Sequence, residues 1–186
     1  MGKQNLSANH GAVQAVTPPG NPDGKGLSSV LFDWHRTQPR GALAKPRRRI
    51  LSELFTSMFV LSAAVRYPPV VGVANYLYWI NGEWSLSLIA RDEWSDERRA
   101  GFAGTCVLHP DMTWTIDPSD TLTEDNAMTD AIRRFYDAFA EMLDTDLTLE
   151  EILPFCVGSI PYYQRMQANA VSRSLRASLT RVTRPR

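Results

Sequence analysis

The residues best equipped for chemistry are two cysteines, Cys106 and Cys156, three histidines, His10, His35 and His109, and several runs of carboxylates. A thiol nucleophile needs a base within hydrogen-bond reach, and Cys106 with His109 is the nearest pairing. Side chains three residues apart on a strand point to opposite faces. The pair therefore reads as a small buried thiol beside a turn histidine, and Cys156 has no histidine near it in sequence. Asp33 and His35 would share a face if their segment were a strand, but a triad needs a third partner, and none is marked. Isolated cysteines and scattered histidines exclude zinc ribbons, zinc fingers and disulfide frameworks. No metal and no cofactor are implied.

Carboxylates cluster at Asp92, Glu93, Asp96 and Glu97, and again at Asp144, Asp146, Glu150 and Glu151. General acid work needs one carboxyl in an apolar setting and a second kept ionised. These runs sit among polar neighbours that keep them solvated, so helix capping and solubility account for them. The segment Gly20-Asn-Pro-Asp-Gly24-Lys25-Gly26 superficially resembles a phosphate loop. Its glycines stand one residue too close, and Gly26 occupies the place of the magnesium-binding Ser or Thr. Of the five tryptophans, Trp79, Trp84 and Trp114 read as core. Trp34 and Trp94, beside acids and loop signals, are the candidates for exposed aromatic contacts.

The net charge of zero conceals three zones. Residues 1–110 carry 12 basic and 8 acidic side chains, residues 111–151 carry 12 acidic and 2 basic, and residues 152–186 carry six arginines and no acid. At 100° per residue, Arg165, Arg173, Arg176 and Arg184 gather on one side of a C-terminal helix whose other side holds Ala168, Val171, Leu175, Leu179 and Val182. Arg165, Arg173 and Arg176 are therefore the binding candidates. Two uses follow from the asymmetry: contact with the acidic segment around Asp130, Asp137 and Glu141, or a surface for a partner. Six arginines over 35 residues are sparse for tracking phosphates, so nucleic acid is the less favoured partner.

The elements that would position these residues can be read in order. Residues 1–28, rich in Gly, Pro, Asn and Ser, predict a loosely held arm with no helix, and residues 29–183 a single domain. A short apolar stretch, Val30 to Trp34, follows the arm. Ile50, Leu51, Leu54, Phe55, Met58, Phe59, Leu61 and Val65 recur at helical spacing and predict a largely buried helix over 46–66, stopped by Pro68 and Pro69. Asn81-Gly82 between aromatic and apolar alternation predicts a β-hairpin. Its register pairs Ile80 with Glu83 and puts Leu77, Trp79, Trp84, Leu86 and Leu88 on a core face, with Tyr76, Tyr78, Ser85 and Ser87 opposite.

Ser95 to Gly101 reads as a one- or two-turn helix with acids at its positive end and arginines at its negative end. A second hairpin, 103–109 with 112–117, turns at Pro110-Asp111 and groups Thr105, Val107, Trp114 and Ile116. After Thr123 a helical stripe runs from Met128 to Leu143. A short capped helix is expected near Thr148, and the arginine-bearing helix begins near Pro161. The sum is an α+β fold: a small antiparallel sheet of about four strands, one helix before it and two or three after it.

Tyr76-Leu-Tyr78, Gly82-Glu-Trp84-Ser-Leu-Ser-Leu88, Glu93-Trp94, Phe102-Ala-Gly104 and Leu108-His-Pro-Asp111-Met-Thr-Trp114 resemble the uncharacterised bacterial family domain of unknown function 2452, as does the upstream Asn21-Pro-Asp-Gly-Lys-Gly26. The resemblance covers residues 20–120 and implies no activity, cofactor or catalytic residue.

With 186 residues, 44% hydrophobic and 22% charged, the chain can bury a core unaided. It shows no secretory leader and no membrane span, and free thiols place it in the cytoplasm. Rich in packing signals and poor in arranged chemistry, it reads as a non-catalytic protein-interaction module that binds a protein partner or itself. The alternative is a small-molecule or lipid-binding domain with a pocket between sheet and helices. An enzyme built on isolated residues is the third class.

Overall fold

The computed structural model describes residues 27–123, 126–144 and 162–182. It is an α+β fold with one four-stranded antiparallel sheet, helices preceding it and helices following it. The expected short helix near Thr148, the loop at Gly20 to Gly26, His10, Cys156 and Arg184 lie outside the described residues.

The chain enters as α1 (Leu27–Arg36), a helix where a loose arm and then a short apolar stretch were expected. The last two residues assigned to that arm open the helix, and Asp33 and His35 therefore stand on helical turns instead of along a strand. The second helix, α2 (Arg47–Ser62), follows a proline at its N-cap, where a missing N–H costs nothing. It stops four residues short of the expected end because Ala64 turns into an edge contact. The Ala64 N–H donates to the Trp84 carbonyl at 2.8 Å, and the Leu86 N–H donates to the Ala64 carbonyl at 2.9 Å.

The sheet order is β2-β1-β3-β4, from β1 (Ala74–Ile80), β2 (Glu83–Ser87), β3 (Phe102–Leu108) and β4 (Trp114–Pro118). The first hairpin has the expected register, Trp79 opposite Trp84 and Leu77 opposite Leu86. Asn81 and Gly82 both adopt positive φ, as a type I′ turn demands. Its pairing ends at Tyr76 with Ser87, so Leu88 is not a core residue and stands 53% exposed.

The second hairpin is shifted by one residue from expectation. Leu108 pairs with Trp114 and Cys106 with Ile116, which puts Thr105 and Val107 on the other face from Trp114 and Ile116. The cause is Met112. A turn closes from the His109 carbonyl to the Met112 N–H at 2.8 Å, and Met112 then takes φ 66° as an extra bulge residue before Thr113. A non-glycine residue there costs roughly 1–2 kcal/mol. Burial of the Met112 side chain, 2% exposed, offsets it.

A second irregularity lies between Leu77 and Tyr78, where the pairing of β1 with β3 slips by one residue. The extra residue, Ala103, gives its carbonyl to the Ser119 N–H at 2.9 Å instead. Between β2 and β3 the chain makes a 3-10 turn (Arg91–Glu93) and the short helix α3 (Asp96–Ala100) at the expected place. A second 3-10 turn (Asp120–Thr123) leads to α4 (Ala127–Leu143), whose first N–H groups are capped by the Asn126 side chain at Met128 and Thr129. The last described helix is α5 (Tyr162–Val182).

The core lies between the Leu77, Leu86, Cys106, Leu108 and Trp114 face of the sheet and helices α2, α4 and α5. Phe59 meets Trp84 edge-on at 5.0 Å, Phe55 meets Phe139 at 5.2 Å, and Trp79 and Trp84 lie 4.7 Å apart. Trp79 and Trp84 are half-buried at its margin. On α5, Ala170, Val171, Ser174, Leu175 and Ser178 are all at 0% exposure, so this helix is covered on more sides than its expected single apolar stripe. The Gln164 amide ties it to the end of α2 by donating to the carbonyls of Leu61 and Ala63.

Candidate functional site

Two of the five candidate residues come together, and their partner differs from the expected one. The Arg173 guanidinium lies over the Trp34 ring, 4.0 Å from its centroid. It also donates to the Gln38 side chain at 2.9 Å and to the Thr37 carbonyl at 3.2 Å. Both acceptors follow the last residue of α1, where exposed carbonyls make the helix end negative. Arg173 thus docks α1 on α5 instead of reaching the acidic α4, and burial pulls its pKa below the usual arginine value. Arg165 is half-buried and Arg176 is exposed, and both have interactions within the chain.

Trp94 is not an open contact surface. It is half-buried, edge-on to Tyr78 with ring centroids 6.2 Å apart, with the Arg98 guanidinium 4.3 Å above it. Together with Phe102 it covers the outer face of the sheet over Tyr78, whose hydroxyl donates to the Ile89 carbonyl at 2.9 Å. Trp34, 43% exposed, keeps one face open.

Beside the Arg173 contact is a cleft of about 540 Å³. Its walls come from four segments: the end of α1 and the turn after it, the loop 68–71, the end of β3 with the 110–112 turn, and the first turns of α5. Pro69, Val70, Val71, Leu108, Met112 and Met166 line it with apolar surface, and His35, Arg36, Arg40 and Gln167 add polar groups. Gln167 is 6% exposed and its amide has no hydrogen-bond partner among the described residues. Arg36 and Arg40 are exposed and join no ion pair among the described residues. The single acid of the lining, Asp33, is 8% exposed and is not free.

Of these lining residues the sequence marks only Asp33 and His35 for chemistry, and Pro68, Pro69 and Pro110 only as breaks in the chain. The lining residues are scattered over about 130 positions, and only the apolar pair Val70-Val71 directly after two prolines marks a loop that is not conventionally polar.

The turn that forms the cleft's edge is held by a compact ion cluster. Lys45 Nζ lies 2.7 Å from both Glu53 and Asp111, with the three side chains only 12–13% exposed. Asp111 also accepts from the Thr113 N–H and hydroxyl. Burial disfavours both charges, yet the shared hydrogen bonds outweigh it. The Asp111 carboxyl is held below its ordinary value by Lys45 and Thr113, and the Lys45 ammonium is held above its own by Asp111 and Glu53. This Lys–carboxylate cluster is a brace between the start of α2 and the Met112 turn.

The Cys106 thiol is fully buried, and burial pushes its pKa up to about 12, so it is a poor thiolate source. His109 points the other way, with Nε2 2.8 Å from the Thr115 hydroxyl, on the face opposite Cys106. Among the described residues no three His, Cys, Asp or Glu side chains gather as a metal site, and no helix is long and apolar enough to cross a membrane. No protein-family model, curated protein or solved structure matches the chain.

Proposed function

We propose that this protein is a non-catalytic, cytoplasmic protein-interaction module whose contact surface is the outward side of α1. One observation carries the reading: α1 buries Asp33 at 8% exposure while Leu31 and Phe32 stand 58% and 63% exposed. Water-facing helices arrange these residue types the opposite way round. Side chains that stand 58% and 63% exposed forgo roughly 1–2 kcal/mol each of what full burial gives, which a covering partner recovers. Val70, Val71 and Val73, 55%, 41% and 42% exposed, add apolar area on the loop before β1. The buried free thiol of Cys106 fits a reducing compartment.

The test is affinity capture from the native cell with the wild type and a Leu31→Ser/Phe32→Ser variant. A stoichiometric protein partner, or a second copy of the chain, is held by the wild type and released by the variant. Equal retention by both moves the interface elsewhere, and a strictly monomeric, unpartnered wild type removes the reading.

A second reading, a small-molecule-binding domain, is supported by the cleft between the end of the sheet and helices α1 and α5. Its volume lies in the range of about 300–1,000 Å³ usual for ligand pockets.

A further inference from the structure

The cleft has more chemical definition than an apolar groove. Gln167, 6% exposed, lines the cleft with an amide that has no hydrogen-bond partner among the described residues, so its polar atoms are open to whatever enters. It stands in the first turns of α5 among Met166 and Tyr163, and the cleft is what it faces. The remaining polar lining is unbalanced: two arginines and a histidine against one acid that is already engaged. Arg36 ends α1 and Arg40 stands in the irregular segment after it, and both line the cleft. Their planar guanidinium groups suit a carboxylate better than an ammonium does, because they offer paired donors in the same plane. Below them, Pro69, Val70, Val71, Met112 and Met166 give no polar partner to anything that enters.

We infer that the cleft binds a small free carboxylic acid with an apolar body. The body lies along the loop 68–71 and the two methionines. The carboxylate is held by Arg36 and Arg40, with the Gln167 amide donating a further hydrogen bond. This inference rests on the small-molecule reading and not on the α1 interface.

Titration calorimetry with octanoate and with octanol, on the full chain at neutral pH, separates the two. Octanoate binds at one site with a dissociation constant on the order of 0.1 mM, the scale for a ligand of its size. Octanol binds at least about tenfold more weakly, the step expected when a charge-assisted bond is absent. Arg36→Gln with Arg40→Gln, both exposed positions that leave the fold intact, removes the preference for octanoate and leaves octanol binding unchanged. Val71→Asp, at a 41% exposed position on the wall, abolishes binding of both. Equal binding of the two ligands overturns the carboxylate assignment and leaves a small-molecule cleft. A preference that survives loss of both arginines also overturns it. Binding of neither ligand overturns the small-molecule reading as well.

Discussion

Helices α1 and α2 lie at opposite extremes of how this chain treats apolar surface. On α2, Ile50, Leu54, Met58, Phe59, Val60 and Leu61 are all at most 7% exposed, and Phe55 and Phe59 each meet rings from α4 or the sheet. Removing any of them opens a void in a closely packed interior. On α1, the apolar side chains Leu31 and Phe32 face outward, and the helix is attached through polar means: the Arg173 contact to Trp34, Gln38 and Thr37, and the Arg40 N–H donating to the Pro110 carbonyl at 2.8 Å. The difference separates buried cohesion from exposed apolar surface. The α2 side supplies the cohesion of the fold, and the α1 side supplies surface.

The largest expected effect falls on the sheet beneath α2. A Cβ on Gly104 would lie 2.5 Å from the Asp117 carbonyl oxygen, where two backbones leave no room to give. Gly104→Ala therefore separates β3 from β4 and yields little folded protein, seen as loss of a cooperative melt. Trp114→Ala removes a side chain that is 1% exposed and costs about 3–5 kcal/mol in chemical denaturation. Trp84→Ala costs less than Trp114→Ala, because Trp84 is only half-buried; the reverse order would dissolve the distinction between core centre and margin.

The ion cluster comes next. Asp111 has its pKa lowered in the fold, so its contribution is complete above the ordinary carboxylate value and fades as pH falls through the folded one. Lys45 has its pKa raised, so its contribution is complete below 10.5 and is lost as pH rises beyond that value. Lys45→Met leaves two carboxylates without their shared cation and costs about 2 kcal/mol at neutral pH. It also flattens the alkaline arm of the stability curve; an alkaline arm identical to the wild type's would show that the cluster is mere decoration.

On the α1 side the effects shrink. Arg173→Met costs about 1 kcal/mol, the value of a cation–π contact and two side-chain hydrogen bonds at a half-exposed site. Hydrogen exchange should quicken in α1 and leave α2 unchanged, and uniform quickening would mean that α1 belongs to the same cooperative unit as the core. Smallest of all is Leu31→Ser with Phe32→Ser, which shifts the melting temperature of the isolated protein little or upward. A fall comparable to that of Trp114→Ala would make these residues structural.

Legibility in the sequence followed the same division. Where residue type and backbone geometry coincide, as at Asn81-Gly82, the register of the hairpin could be read to the residue. Where they conflict, it could not: nothing in a methionine signals a positive φ, and Met112 displaced the second hairpin by one position. The α2 and α4 stripes were visible because an apolar face packed inward repeats at helical spacing. For α1, ten residues with outward apolar groups and an inward acid gave a pattern that periodicity assigns to no buried element. The arginine stripe was legible as a feature but not its use, since charge alone pointed Arg173 to acids, whereas it donates to the Thr37 carbonyl and the Gln38 side chain just beyond α1 and covers an indole more than 130 positions away. The cleft was invisible because its lining is assembled from four segments.

The central claim is that the outward side of α1 is a protein-contact surface, and a photo-crosslinking amino acid placed at Phe32 in the native cell tests it most directly. The account predicts one discrete adduct whose mass equals this chain plus one protein, either a partner or a second copy, and which vanishes when Leu31 is also changed to Asp. Crosslinks confined to residues of the same chain, or no adduct under conditions where the probe reacts, would contradict it.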